Sequence, residues 1–253
     1  FYLFGLGSFF EYSDGNTYAS HFFAPTKDEG VTSNPTNLLG TMYLGGFVVP
    51  FIVTCLLTVL TLTMERFIAL GKAAGKGNQT KFVAEVKKAL NEKNVAKAEE
   101  LCKKQKGTVG AIVYATLAKY KEMEANTILP KEQKLAVIQE QLAEATALEM
   151  PSLQQNLPIL ATMTTLGTLL GLFGTVVGMI KSFQALGNAG APDSAELSKG
   201  ISEALVNTAS GILTAVCALI AYNFFTNKID NLTYAVDELG FAIVNAYAAN
   251  HAN

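Results

Sequence analysis

The stretch LGLFGTVVGMIKSF, Leu170–Phe183, is apolar enough to dissolve in lipid, yet it carries three glycines and a threonine between Gly171 and Gly178. A plain membrane anchor fills such positions with Leu and Val. A helix that gives up this much side chain offers a smooth surface that another helix can approach closely. The stretch closes a run, 152–180, with no Asp, Glu, Lys or Arg, and residues 31–64 and 204–227 form two more such runs. A bilayer core is crossed by about 20 apolar residues in a helix, so each run is long enough to span.

Half of the 253 residues are hydrophobic, 16% are charged and the mean hydropathy is +0.27. That is too apolar for an average soluble domain. The net charge of −2 gives no sign of a nucleic-acid partner. The chain opens on Phe1 rather than Met, which implies a start that is processed or not covered.

The expected fold is an all-α membrane protein with three transmembrane helices, at 39–64, 152–181 and 201–227. Fifteen of the 19 Lys and Arg lie in 65–150, with Arg66, Lys72, Lys76 and Lys81 close to the first span. The positive-inside rule places 65–150 in the cytoplasm as a helical domain. Residues 1–38 then form an outer, periplasmic segment, 182–200 a short periplasmic loop, and 228–253 a cytoplasmic C-terminal helix. FYLFGLGSFF at the start is too short to span and reads as an interfacial segment on the outer leaflet, or as the tail of a further span that begins before Phe1. At 1.5 Å per residue the run 152–180 measures about 43 Å, more than the roughly 30 Å hydrocarbon core. Long helices should therefore extend from the membrane into the cytoplasm. Cys55, Cys102 and Cys217 suggest no disulfide framework and read as packing residues.

The cytoplasmic segment has the period of short amphipathic helices. Thr80 is a candidate N-cap, with Phe82, Val83, Val86 and Leu90 on one face. A second helix places Val95, Ala98, Leu101 and Cys102 inward, and a third starts near Gly107 with Ile112, Val113, Leu117 and Tyr120 inward. A longer helix begins after Pro130 and runs toward the second span. Pro151 and Pro158 are expected to kink it there. The Lys and Glu of these helices read as a solvated face.

On a helical wheel Gly167, Gly171, Gly174 and Gly178 fall within about 60° of one another, a seam with two GxxxG pairs. Thr164, Thr168 and Thr175 stack beside it. In the third span Glu203, Asn207, Ser210 and Thr214 repeat the four, three, four spacing, flanked by Thr208 and Gly211. The bland reading of the glycines is tight packing, and that of Glu203 is a first-turn acid favoured by the helix N-terminus. Neither accounts for the polar ladder below Glu203, and an ionisable group inside a membrane marks a functional path by default. Two such stripes could line a narrow interior. They lack the repeated carboxylates of a self-sufficient proton wire, so that interior is expected to be shared by several copies ringed around a component that supplies the titratable group.

LGLFGTVVGMIKSF followed by GISEALVNTASGILTAVCALIAYNFF, Gly200–Phe225, resembles the signature of the ExbB/TolQ/MotA family of proton-driven inner-membrane motors. The likeness is strong over 150–230 and looser over NVAKAEELCKKQKGTVGAIVYATL and the first span. Three spans with short outer loops resemble the ExbB and TolQ branches more than four-span MotA. The chain departs from the family at Thr168 and Cys217, where many members carry Pro, and at Val177, where an aromatic is common. The resemblance implies a homo-oligomeric ring, a pentamer, around two single-span partner helices of the ExbD/TolR/MotB type, each carrying an aspartate that takes up and releases protons. It assigns the facing threonines to Thr175 and Thr208 and the family glutamate to Glu203. In the ExbB branch the work energises a TonB-type protein and outer-membrane uptake. In the TolQ branch it serves outer-membrane integrity, and in the MotA branch motility.

The rival classes are a substrate transporter, which would show more spans and an internal repeat, and an inert membrane scaffold. An enzyme is not expected. The chain has no Walker motif, no His/Cys metal spacing and no Ser-His-Asp set, His21 and His251 are isolated near the ends, and no cofactor is implied.

Overall fold

The computed structural model describes residues 46–188 and 194–250, and every element among them is helical. A single 3-10 turn, Gly46–Val48, leads into α1 (Val49–Ala73). Then follow α2 (Gln79–Asn91), α3 (Val95–Gln105), α4 (Gly107–Ala125), α5 (Lys131–Gln154), α6 (Leu157–Asn188) and α7 (Ser194–Asn250). Among the described residues, three stretches are long and apolar enough to cross a membrane: Gly46–Ala73, Lys131–Gln184 and Leu197–Asn250. The chain is an all-α membrane protein. The expected outer segment 1–38 with FYLFGLGSFF, and both histidines, lie outside the described residues. Within the stretch expected to be a loop, 182–200, α6 continues to Asn188 and α7 already begins at Ser194.

Contacts sort the chain into two units, one with residues up to Thr61 and Ile159–Ile220, the other with Leu62–Pro158 and the residues from Ala221 onward. In the first unit many large outward side chains are apolar: Phe51 and Leu60 of α1, Leu169 and Ile180 of α6, and Leu213 and Ile220 of α7 are each more than half exposed. That is the pattern lipid requires and water would penalise. Thr54, Thr58 and Thr61 donate to carbonyls four residues back, so their hydroxyls need no partner from another helix.

The second unit is a conventional helical core. Phe82, Val83, Val86 and Leu90 of α2, Cys102 of α3, and Ile112, Val113, Leu117 and Tyr120 of α4 are buried, while Val95 and Leu101 are only half-buried. α7 brings in Phe225, Leu232, Val236, Leu239, Ile243 and Tyr247. The rings of Tyr120 and Tyr247 meet edge to face at 4.9 Å, and Tyr247 donates to the Met123 carbonyl at 3.1 Å. Lys87 pairs with Glu238, and Lys121 with Glu99 at 2.6 Å.

Two local expectations change. The N-cap of α2 is Asn78, whose side chain accepts from the Thr80 N–H at 3.0 Å. An Asn two residues upstream reaches the free N–H that Thr80, already helical, cannot cap for itself. The prolines accompany a break rather than a kink. α5 carries Pro151 in its last turns and stops at Gln154; Asn156 turns left-handed (φ 64°), and α6 restarts with Pro158 at its second position. A proline there lacks only an N–H that a helix start leaves unbonded anyway.

Candidate functional site: the glycine seam and its polar neighbours

In the first unit α6 and α7 meet at backbone distance. A Cβ added to Gly167 would lie 3.1 Å from the Gly211 carbonyl, one on Gly171 3.2 Å from the Asn207 carbonyl, and one on Gly178 2.9 Å from the Ala204 Cβ. A Cβ on Gly174 would overlap the Asn207 side chain, and one on Gly211 would come within 2.6 Å of the Gly167 carbonyl. The four seam glycines therefore receive α7, with Gly211 as their counterpart.

The α7 ladder lies in that contact. Glu203, Asn207, Ser210 and Thr214 are all buried. Ser210 and Thr214 donate to their own helix, to the carbonyls of Val206 (2.8 Å) and Ser210 (3.0 Å). Thr208 is half-buried and bridges the pair, donating to Ala204 at 3.3 Å and across to the Gly171 carbonyl at 3.5 Å. Asn207 is 1% exposed, and neither its Nδ2 nor its Oδ1 has a hydrogen-bond partner. Unsatisfied buried amides are rare and call for an explanation.

Glu203 is held by a residue that sequence reasoning passed over. Lys181 Nζ donates to Glu203 Oε1 at 2.7 Å, and the Lys181 ammonium lies 6.0 Å from the Phe47 ring centroid. A Cβ on Gly46 would overlap the Glu203 carboxylate, so the start of the first helix closes over it. The available signal was the position of Lys181, the first charge after the apolar run 152–180; nothing in the spacing shows that it turns toward residue 203.

The α6 threonines occupy a different, open face. Thr168 is exposed and donates to Thr164 at 3.1 Å; Thr164 is half-buried and donates to Ala161. Thr175 is half-buried, donates to the Leu172 carbonyl at 2.6 Å, and lies on an open, mostly apolar face with Val176, Met179, Ile180, Phe183 and Gln184. The structure thus brings Glu203, Asn207, Ser210 and Thr214 together against the glycines and keeps Thr164, Thr168 and Thr175 apart from them. Among the described residues no three His, Cys, Asp or Glu side chains gather to hold a metal ion.

The sequence that builds this helix pair belongs to a chain with named relatives. A stretch of 88 residues is 40% identical to the Tol-Pal system protein TolQ of Pseudomonas aeruginosa, covering 35% of this chain and 38% of that one. Over 149 residues the chain is 30% identical to the biopolymer transport protein ExbB of Pseudomonas putida, covering 58% and 43%. Over 123 residues it is 31% identical to ExbB of Neisseria gonorrhoeae, covering 47% and 54%. These matches span about half or less of each relative's length. Residues 104–238, more than half of the chain, match the MotA/TolQ/ExbB proton channel family. That match contains α4 to α6 and most of α7, the seam and the ladder included, and the chain belongs to the MotA/TolQ/ExbB proton channel family.

Proposed function

We propose that the chain is an ExbB-like subunit of a motor in the bacterial inner membrane driven by the proton-motive force. In this reading several copies, five by the family pattern, form a ring around a dimer of a single-span ExbD-type protein. The ring energises a TonB-type protein and with it transport across the outer membrane. The N-terminus faces the periplasm and the C-terminus the cytoplasm.

The observation that carries the reading is the open face at Thr175. A hydroxyl lies on an open apolar face of α6, beside Val176, Met179, Ile180 and Phe183, that another helix can cover. A carboxylate brought there from a partner would lose water, which favours its neutral form, and would gain a hydroxyl donor, which favours its charged form. Moving the acid between a position with the donor and one without it couples protonation to motion. The membrane potential supplies about 2.3 kcal/mol per charge per 100 mV, the scale such a difference needs. Thr208 supplies the second hydroxyl at the helix contact and Glu203 the fixed acid at its end.

The test is reconstitution. The chain is co-expressed with a single-span, aspartate-bearing partner, and proton uptake into vesicles is followed under an imposed gradient. Uptake should require both proteins and the partner's aspartate. Full uptake by the chain alone would make it a self-contained channel and end the proposal.

A TolQ-like role is the second reading, favoured by the 40% identity to TolQ over 88 residues against 30–31% over longer stretches to two ExbB proteins. Which partner co-purifies, of ExbD type or TolR type, separates the two.

A further inference from the structure

A second cavity, of about 400 Å³, lies wholly within the second unit. It is lined by Arg66 and Lys72 of α1, Gly107 and Thr108 at the start of α4, and Glu149 near the end of α5. Arg66 is 3% exposed. Its Nη1 donates to the carbonyls of Ser152 (3.3 Å) and Leu153 (3.5 Å), and its Nη2 to Glu65 at 2.5 Å. It thereby supplies donors to the helix end that the break after Gln154 leaves open. Its Nε, however, is buried without a partner. α4 begins with Gly107 and Thr108 in the cavity wall and has no side-chain cap, which leaves the positive end of its dipole at that wall. Among the described residues neither Lys72 nor Glu149 has an ion-pair partner. The cavity wall therefore carries a guanidinium, an ammonium and a helix N-terminus, together with one carboxylate that has no ion-pair partner.

Its place in the sequence says what meets it. Arg66 comes two residues after the charge-free run 31–64, and Ser152 lies three residues after Glu149, the last charge before the second apolar run. The Arg66 wall thus follows directly on the apolar part of the first span, which the sequence reading puts at the depth of phospholipid headgroups. Met64, Phe67 and Ile68 beside it are more than half exposed, apolar surface that acyl chains can cover.

We propose that this cavity binds a phospholipid headgroup that carries both a phosphate and an amine, as phosphatidylethanolamine does. The phosphate is recognised by Arg66, Lys72 and the start of α4, and the amine by Glu149. An anionic headgroup without an amine would leave Glu149 unpaired beside added negative charge. This site is independent of whether the chain performs proton-coupled work.

The experiment is native mass spectrometry of the full chain released from nanodiscs of equimolar phosphatidylethanolamine and phosphatidylglycerol, with inorganic phosphate as a separate arm. Wild type should retain one phosphatidylethanolamine per chain. Lys72→Gln should weaken retention about tenfold, the size of one lost charge-assisted contact. Glu149→Gln should remove the preference for the amine headgroup while keeping the lipid. Neither residue supports the α5 end as Arg66 does, so both variants should fold. Equal retention of the two lipids by wild type, or retention unaffected by both substitutions, would overturn the proposal. Thermal protection by inorganic phosphate with no lipid retained would assign the phosphate chemistry to a soluble anion and overturn the lipid.

Discussion

Lys181 donates a hydrogen bond to Glu203 at 2.7 Å, from a side chain 47% exposed to one 10% exposed. The pair joins α6 to α7 at the end of the glycine seam, with the backbone of Gly46 closed over the carboxylate. Glu203 is the buried partner, so what matters is less the gain from pairing than the penalty for a carboxylate left alone.

Lys181→Met should therefore lower stability by about 1–2 kcal/mol, a figure reduced from the fully buried case because the lysine is half exposed. Adding Glu203→Gln to it should recover most of the loss, since a neutral amide tolerates the site better. Thermal unfolding of the two single variants and the double variant closes the cycle. Strictly additive effects would mean that the two side chains do not act as an energetic unit.

Gly171→Leu should separate α6 from α7. A Cβ at Gly171 already stands 3.2 Å from the Asn207 carbonyl and 3.3 Å from the Gly211 Cα, both backbone atoms that cannot yield as a side-chain tip can. The expected loss is about 3 kcal/mol or more, with no assembled complex in native mass spectrometry. Gly187→Ala on the same helix is the control. Nothing lies within 4 Å of its added Cβ, so the variant should be neutral or gain up to about 1 kcal/mol of helix propensity. Equal behaviour of the two variants would show that the seam does not govern packing.

The helices and the seam were legible because periodicity and charge-free length are properties of a single helix. Gly167, Gly171, Gly174 and Gly178 declare a smooth face by their spacing alone. The wheel could not say which helix fills that face. It grouped the α6 threonines with the α7 ladder as two walls of one interior, whereas the chain buries Asn207 against Gly174 and leaves Thr168 exposed. The contact of Lys181 with Glu203, 22 residues apart across a turnaround, depends on the relative rotation of two helices, which no one-dimensional pattern records. The break at Gln155–Asn156 was legible only as a pair of prolines. That it is a break and not a kink follows from the left-handed Asn156, a position that a short polar side chain tolerates and that sequence does not announce.

Thr175→Val should abolish proton-coupled work while leaving the fold intact. The hydroxyl bonds only to the Leu172 carbonyl of its own helix, and the valine keeps the shape of the side chain. Stability should change by less than about 1 kcal/mol. Thr175→Ser, which restores the donor, should restore most of the proton uptake by reconstituted vesicles. Uptake at the wild-type level in the valine variant would remove Thr175 from the path.

Cys102 offers a pH-dependent readout of the second unit. Its side chain is 2% exposed, and burial, helped by the nearby charge of Glu99, pushes its thiol from an ordinary value near 9.0 up to about 12. A raised value means that the fold favours the neutral thiol. The stabilisation is complete below pH 9 and is lost as the pH climbs from 9 toward 12. In a background of Cys55→Ala and Cys217→Ala, the native protein should resist alkylation at pH 8 and react fully once denatured. Cys102→Ala should cost about 1 kcal/mol at neutral pH through the small cavity it leaves, and should flatten the decline in stability above pH 9. Rapid alkylation of the folded protein at pH 8 would show that α3 opens far more readily than its packing on α2 and α4 implies.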